Sequence, residues 1–153
     1  GLMLELFERF DSRWEEHLAS YVKGRRGLEA MSQAATALRD FLKRESGYMR
    51  AMYLLWYECL GHESEMRRTL AQHHEVYRQD AQRWIEQGID SGEVRPDVQP
   101  AQFAVQYCAF IFGIVYQWLV NADALDIDTV FDSYLDNTIA ILGNPDNNEE
   151  QAL

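Results

Sequence analysis

Cysteine is scarce in this sequence, with only Cys59 and Cys108 in 153 residues. Two cysteines are too few for a disulfide-stapled mini-protein or a cysteine-rich zinc module, so we interpret both as small buried hydrophobic residues. Strand signals are nearly absent too, because apolar and polar residues do not alternate over any long stretch and no Asn-Gly or Asp-Gly turn occurs. The sequence therefore does not favour a β-fold.

Basic residues are also few, with 14 Lys and Arg against 25 Asp and Glu, which gives a net charge of −11. A chain this acidic repels phosphate backbones, and its only dense basic cluster is Lys23, Arg25 and Arg26. We therefore expect no direct binding to DNA. The hydrophobic content of 47% and the length of 153 residues fit one globular domain, and we expect a cytoplasmic protein.

Sequence signatures of catalysis and metal binding are missing as well. There is no Gly-x-Ser-x-Gly, no His-Glu-x-x-His and no phosphate-binding glycine loop. Glu58, His62 and Glu65 have a spacing that could hold a metal on one helix, but the glycine before His62 interrupts that helix. His73 and His74 are adjacent and point about 100° apart on a helix. We predict no catalytic residue, no metal and no cofactor.

Apolar residues recur every three or four positions along most of the sequence, which is the spacing of an amphipathic helix. It predicts an all-α fold of six helices, which we place at about 2–22, 28–45, 48–60, 64–90, 100–120 and 127–142. Glycines and prolines separate these segments, and Asp126 is a candidate cap for the sixth. We expect one domain over residues 1–143 and a polar tail over residues 144–153.

The fifth predicted helix contains the one long apolar run, FAVQYCAFIFGIVYQWLV over residues 103–120. Its length is compatible with a membrane span, but two glutamines interrupt it and acidic residues flank it without a basic cluster. An apolar helix in a chain of this kind is usually buried, either in the core or between subunits. We expect no membrane association.

Two different apolar faces on this helix indicate two sets of neighbours. One face holds small and amide residues that allow close helix approach, and we predict that it forms a homodimer interface together with outward residues of the sixth helix. The predicted interface residues are Gln106, Ala109, Gly113, Gln117, Val120, Tyr134, Thr138 and Ile141.

Aromatic residues are plentiful, with four Trp, eight Tyr and seven Phe. For any single residue, core packing is the simpler interpretation, but the set is large enough to border a pocket between the first, third, fourth and fifth helices. The predicted ligand-binding residues are Trp14, Met52, Tyr53, Trp56, Tyr77, Trp84, Tyr107 and Phe110. No Lys or Arg stands among them, so the expected ligand is largely apolar or aromatic and neutral or cationic.

Three passages carry a resemblance to a known family. They are GLMLELFERF at residues 1–10, WIEQGIDSGEVRPD at residues 84–97, and GIVYQWLV at residues 113–120 followed by LDI at residues 125–127. In this order they resemble the linker helix, a mid-domain junction and the interface helices in the regulatory half of TetR-family transcriptional repressors. The resemblance covers residues 1–143 and implies a ligand-sensing and dimerisation domain.

The three-helix DNA-binding domain of that family has no counterpart in this sequence, so no DNA-contacting residue is assigned. The chain opens directly in an apolar helical pattern without Met, and we expect the natural protein to begin further upstream. The resemblance implies that a ligand entering between the helices moves the first helix. In the intact dimer this movement would change the distance between the two DNA-binding domains.

The alternatives are a constitutive helical interaction module without a ligand and a small enzyme.

Overall fold

Six α-helices make up the fold in the computed structural model, which describes residues 1–61 and 63–146. The helices are α1 (Leu2–Val22), α2 (Gly27–Arg44), α3 (Ser46–Cys59), α4 (Glu65–Asp90), α5 (Pro100–Val120) and α6 (Ile127–Leu142). A short 3-10 turn at Ala122–Ala124 follows α5, and the described residues contain no strand. The predicted all-α, six-helix fold is confirmed.

Three of the helices, α4, α5 and α6, begin where the sequence provides a capping group or a proline. The side chains of Ser64 and Asp126 accept hydrogen bonds from the amides of Arg67 and Thr129, which satisfies free N–H groups at the starts of α4 and α6. Pro100 occupies the first turn of α5, where its missing N–H costs nothing.

Helix α2 lies at the centre of the domain and contacts α1, α3, α4 and α6. Its buried alanines, Ala30, Ala34, Ala35 and Ala37, leave room for these neighbours to approach closely. Larger buried side chains on α2, such as Phe41, fill the space between them. The core of the domain is therefore built around this one helix.

The loop between α4 and α5 closes the domain by pairing with the end of α6. Val94 is fully buried, its amide donates to the carbonyl of Gly88 at 2.9 Å, and it forms an isolated bridge with Gly143. The amide of Asn144 donates to the carbonyl of Glu93, which ties the start of the predicted tail to the domain. Residues 147–153 of that tail lie outside the described residues.

Helix α5 is the one helix of the described chain that is long and apolar enough to cross a membrane. Only 33% of its most apolar stretch is buried within the single chain. The buried side chains of α5 face the interior of the domain, where α4 is its main neighbour. The other side of α5 is left uncovered.

Candidate ligand cavity and dimer face

A cavity of about 90 Å³ lies between the first five helices. Its wall is almost entirely apolar, and aromatic rings contribute half of the lining residues. The lining residues are Phe10, Trp14, Leu18, Ala34, Leu38, Met49, Tyr53, Trp56, Tyr77, Asp80, Trp84, Tyr107, Cys108, Ile111, Phe112 and Val115. Apolar concavities with few polar groups are the usual form of small-molecule sites.

Six of the eight predicted ligand-binding residues line this cavity: Trp14, Tyr53, Trp56, Tyr77, Trp84 and Tyr107. Met52 and Phe110 do not, which corrects their predicted placement. Met52 is buried in the core on another side of α3, because adjacent helical residues point about 100° apart. The ring of Phe110 stacks on Tyr134 of α6, with 3.6 Å between centroids.

Helix α2 also borders the cavity. The sequence analysis placed the pocket between the first, third, fourth and fifth helices only, and so missed α2. Ala34 and Leu38 form this part of the wall. In the sequence both belong to an ordinary helical stripe of apolar residues, so no local signal separates them from simple core residues. The small side chain of Ala34 leaves space at the centre of the domain, and the large rings of the other helices surround that space.

The tyrosine hydroxyls of the wall mostly have partners within the chain. Tyr53 donates to the carbonyl of Phe112 at 3.1 Å, and Tyr107 donates to the carbonyl of Met31 at 3.0 Å. Burial raises the pKa of both hydroxyls, so both stay protonated near neutral pH. Tyr77 makes a longer contact of 3.4 Å with Asp11 of α1.

Asp80 is the one charged residue among those that line the cavity in the described part of the chain. It lies on α4, and its Oδ1 atom forms an ion pair with Nη1 of Arg83 at 3.0 Å. Burial and the nearby carboxylates of Asp11 and Asp80 raise the pKa of Glu15 on α1, and the His73 imidazole opposes them. Sequence reasoning did not single out Asp80, because an acidic residue on a long charged helix is usually solvated.

Two buried nitrogen atoms next to the cavity have no hydrogen-bond partner among the described residues: Nε1 of Trp56 and Nε2 of His74. Their rings meet edge to face, with 4.8 Å between centroids. Burial lowers the pKa of His74 to about 4, so the imidazole is neutral near pH 7. His74 therefore supplies a neutral ring that packs against the cavity-lining rings of Trp56 and Phe112.

This burial predicts acid sensitivity of folding. Unfolding exposes His74, whose pKa returns to about 6.5, so the unfolded state binds the additional proton. The free energy of unfolding should consequently fall by about 1–2 kcal/mol between pH 7 and pH 5. Urea unfolding at pH 7 and pH 5 measures this decrease in the free energy of unfolding. The His74→Gln variant should lose the part of the decrease that comes from His74. An unchanged pH dependence in the variant would contradict the buried, neutral imidazole.

A second concavity, of about 630 Å³, lies on the surface between α1 and α3. Its lining is mainly charged and polar: Glu5, Leu6, Glu8, Arg9, Ser12, Arg13 and Tyr48. Although it is larger, it is a wide surface groove whose charged side chains disfavour an apolar ligand. The aromatic cavity is the better candidate site.

The uncovered side of α5 is a continuous uncharged strip, which we call the α5 face. It runs the length of the helix, about 31 Å at 1.5 Å per residue, and consists of Gln102, Val105, Gln106, Ala109, Gly113, Tyr116, Gln117 and Val120. Val105 and Val120 are 54% and 68% exposed. All five α5 residues predicted for the dimer interface lie on this face. An exposed strip without charge is typical of a protein interface.

The three predicted interface residues of α6 differ in their surroundings. Ile141 is 66% exposed, and Tyr134 is half-buried against Phe110. Thr138 is buried within the single chain, so its predicted outward orientation is wrong. The reason is its spacing, since Thr138 falls three residues after Leu135 and four before Leu142, on the stripe of α6 that faces the core.

The geometry offers no obvious reaction centre in the described residues. Burial raises the pKa of Cys108 to about 11, so its thiol in the cavity wall is protonated and a poor nucleophile. No group of three His, Cys, Asp or Glu side chains is placed to hold a metal within residues 1–61 and 63–146. The candidate metal ligand His62 lies outside the described residues.

Comparison with known proteins gives one family match. The family model described as "Tetracyclin repressor-like, C-terminal domain" matches residues 53–133. These 81 residues are more than half of the chain. The chain belongs to this family. A search of curated proteins finds no match.

The match to the tetracyclin repressor-like C-terminal domain confirms the resemblance found in the sequence. It covers α4, α5 and parts of α3 and α6, which carry most of the cavity wall and the whole α5 face. Domains of this family generally dimerise and bind small ligands, and the family is not enzymatic. The regulators of this family are soluble, and an apolar helix of the length of α5 also occurs in the cores of soluble proteins.

Proposed function

We propose that this chain is the effector-binding and dimerisation domain of a TetR-like transcriptional repressor, formed by residues 1–143. The observation that carries the proposal is the aromatic cavity, which lies between the helices of a domain whose family generally binds small ligands. In this proposal the protein is cytoplasmic, uses no cofactor or metal and has no catalytic residue. DNA is contacted only through an N-terminal domain that is not part of this sequence.

The size of the cavity suggests how ligand binding acts on the domain. Its volume of about 90 Å³ is well below the roughly 300–1,000 Å³ of typical ligand pockets. A ligand of one or more rings must therefore push helices apart. The domain then has a closed and an expanded arrangement, and the ligand favours the expanded one because it binds that arrangement more tightly.

Helix α1 is the element that we propose to move. It forms one wall of the cavity with Phe10, Trp14 and Leu18. Its polar link to α4 is weak, because the Asp11 carboxylate lies 3.4 Å from both the His73 imidazole and the Tyr77 hydroxyl. The other side of α1 is held on α2 by His17, which contacts the carbonyl of Ala37 at 2.7 Å, and by Tyr21, which donates to Asp40 at 2.6 Å. We therefore propose that α1 moves away from α4 while it stays attached to α2, which carries the change towards the N-terminus of the chain.

Thermal unfolding with small aromatic probes tests the proposal. Naphthalene, indole and tert-butylbenzene are suitable because they are apolar and differ in shape. A probe at 100 times its dissociation constant should stabilise the protein by roughly 2.7 kcal/mol, which raises the melting temperature by about 5–10 °C. With tert-butylbenzene, which unlike indole and naphthalene does not fluoresce in the tryptophan range, tryptophan fluorescence should change in parallel, because Trp14, Trp56 and Trp84 line the cavity.

A cavity-filling variant gives the matched control. Ala34→Leu adds three carbon atoms to the wall and should abolish the melting shift while the domain stays folded. Ala101→Leu makes the same change at an exposed position of α5 and should leave the shift intact. Trp56→Ala should also weaken binding, because it removes a large contact surface. If no probe shifts the melting temperature, the constitutive interaction module without a ligand replaces this proposal.

A further inference from the structure

We infer that the cavity selects an apolar ligand that carries one positive charge, with the aromatic wall around the ligand and Asp80 next to the charge. This inference rests on the proposed function and names the chemical class of the effector. The wall has eight aromatic residues and a single charged one, Asp80, while no Lys or Arg lines the cavity in the described chain. Aromatic faces attract cations through the negative charge above the ring.

Asp80 is positioned to meet a charged group at the edge of the cavity. It follows Tyr77 by three residues and precedes Trp84 by four on α4, so the three side chains share one side of the helix. The side chain of Asp80 is 24% exposed. A cation beside it keeps part of its hydration, while the apolar body of the ligand lies deeper among the rings.

The existing partner of Asp80 does not neutralise the site. Nη1 of Arg83 lies 3.0 Å from Oδ1 of Asp80, its guanidinium lies 5.9 Å from the centre of the Trp84 ring, and its side chain is 54% exposed. Solvent-exposed ion pairs of this kind are weak, because water competes for both groups. Arg83 can therefore turn to solvent or share the carboxylate when a cationic ligand arrives.

The surrounding charges strengthen the preference for a cation. Asp11 and Glu15 of α1 face α4 on the same side, and burial together with the carboxylates of Asp11 and Asp80 raises the pKa of Glu15. The basic groups placed near these acids are Arg83, which pairs with Asp80, and the His73 imidazole, which lies 3.4 Å from Asp11, while Arg78 of α4 acts on the nearby thiol of Cys108. A ligand carboxylate meets repulsion here, whereas an ammonium group is attracted.

A pair of probes with the same shape and different charge tests the inference. Phenyltrimethylammonium and tert-butylbenzene have the same arrangement of heavy atoms, and a nitrogen replaces one carbon in the cation. Titration calorimetry or tryptophan fluorescence on the full chain should show that the cation binds about tenfold more tightly. Asp80→Asn, which removes the charge and keeps the shape, should cancel this difference and leave the affinity for tert-butylbenzene within about twofold.

The control variant is Glu86→Gln, which removes a negative charge at an exposed position of α4 outside the cavity. It should leave the preference for the cation unchanged, whereas a similar loss in both variants would point to the overall charge of the protein. The inference is wrong if the two probes bind with equal affinity, or if Asp80→Asn still prefers the cation. Either result would leave the proposed function, a sensor of apolar ligands, unaffected. If phenyltrimethylammonium at millimolar concentration, tert-butylbenzene at its solubility limit and the other aromatic probes all fail to bind, the proposed sensor itself fails.

Discussion

The substitution Gly113→Arg is expected to convert the protein from a dimer into a folded monomer. Gly113 lies at the middle of the α5 face, and a Cβ atom built on it meets no atom within 4 Å in the single chain. The monomer can therefore accommodate an arginine there. In a dimer that packs α5 against its symmetry mate, the same side chain would bury an unpaired charge, which costs several kcal/mol.

Light scattering at micromolar concentration measures the effect. The unmodified chain should have twice the monomer mass of 17.8 kDa, and the variant should have the monomer mass with an unchanged circular dichroism spectrum. Gly47→Arg is the matched control, because Gly47 is exposed at the start of α3 and equally open around its Cβ position. A dimeric, folded Gly113→Arg variant would place the interface elsewhere, and a monomeric unmodified chain would exclude a stable homodimer.

The helices could be located from the sequence because each has a strong local cause. The predicted bounds of α1 and α6 agree with the structure, and α2 and α3 each differ by one or two residues at their ends. The early start of α2 has a non-local reason. Gly27 has a φ of +60°, and its amide donates to the side chain of Gln87, sixty residues away on α4. No pattern around Gly27 reveals this tertiary contact.

The candidate cavity could be predicted only in part, because helical periodicity identifies an inward stripe but not what lies opposite it. The stripes of α3 and α4 correctly brought Tyr53, Trp56 and Tyr77 together. The same reasoning included Phe110, whose ring instead stacks on α6. Two buried sides of one helix cannot be assigned to their neighbours without the packing of the other helices.

Polar residues in a cavity are harder to predict than aromatic ones. Asp80 stands among the charged residues of α4, and its position at the cavity becomes visible only when Trp14 and Tyr77 are placed around it. Thr138 is the opposite case, since a polar residue on α6 proves to be buried. In both cases the neighbours on other helices, and not the residue type, decide the exposure.

The substitution Gly88→Ala is expected to destabilise the domain although alanine favours helices. Gly88 lies near the end of α4, where a Cβ atom would overlap Cγ2 of Val94 and come within 3.3 Å of its Cβ. Val94 is fully buried and hydrogen-bonded to the Gly88 carbonyl, so it cannot easily move away. Overpacking of this kind costs about 1–3 kcal/mol, which exceeds the gain of about 1 kcal/mol from replacing a helical glycine.

Thermal or urea unfolding measures this cost, which should lower the melting temperature by several degrees at about 2–4 °C per kcal/mol. Gly47→Ala, at an open position in α3, should be neutral or slightly stabilising. Val94→Ala removes the overlapping methyl groups, so the Gly88→Ala/Val94→Ala double variant should be more stable than the sum of the two single losses. Additive losses would show that Gly88 and Val94 do not compete for the same space.

The contact between Gly88 and Val94 also affects the proposed ligand site, because Gly88 lies on α4 four residues after Trp84 of the cavity wall. Gly88→Ala should therefore weaken the probe-induced melting shift, whereas Gly47→Ala should preserve it.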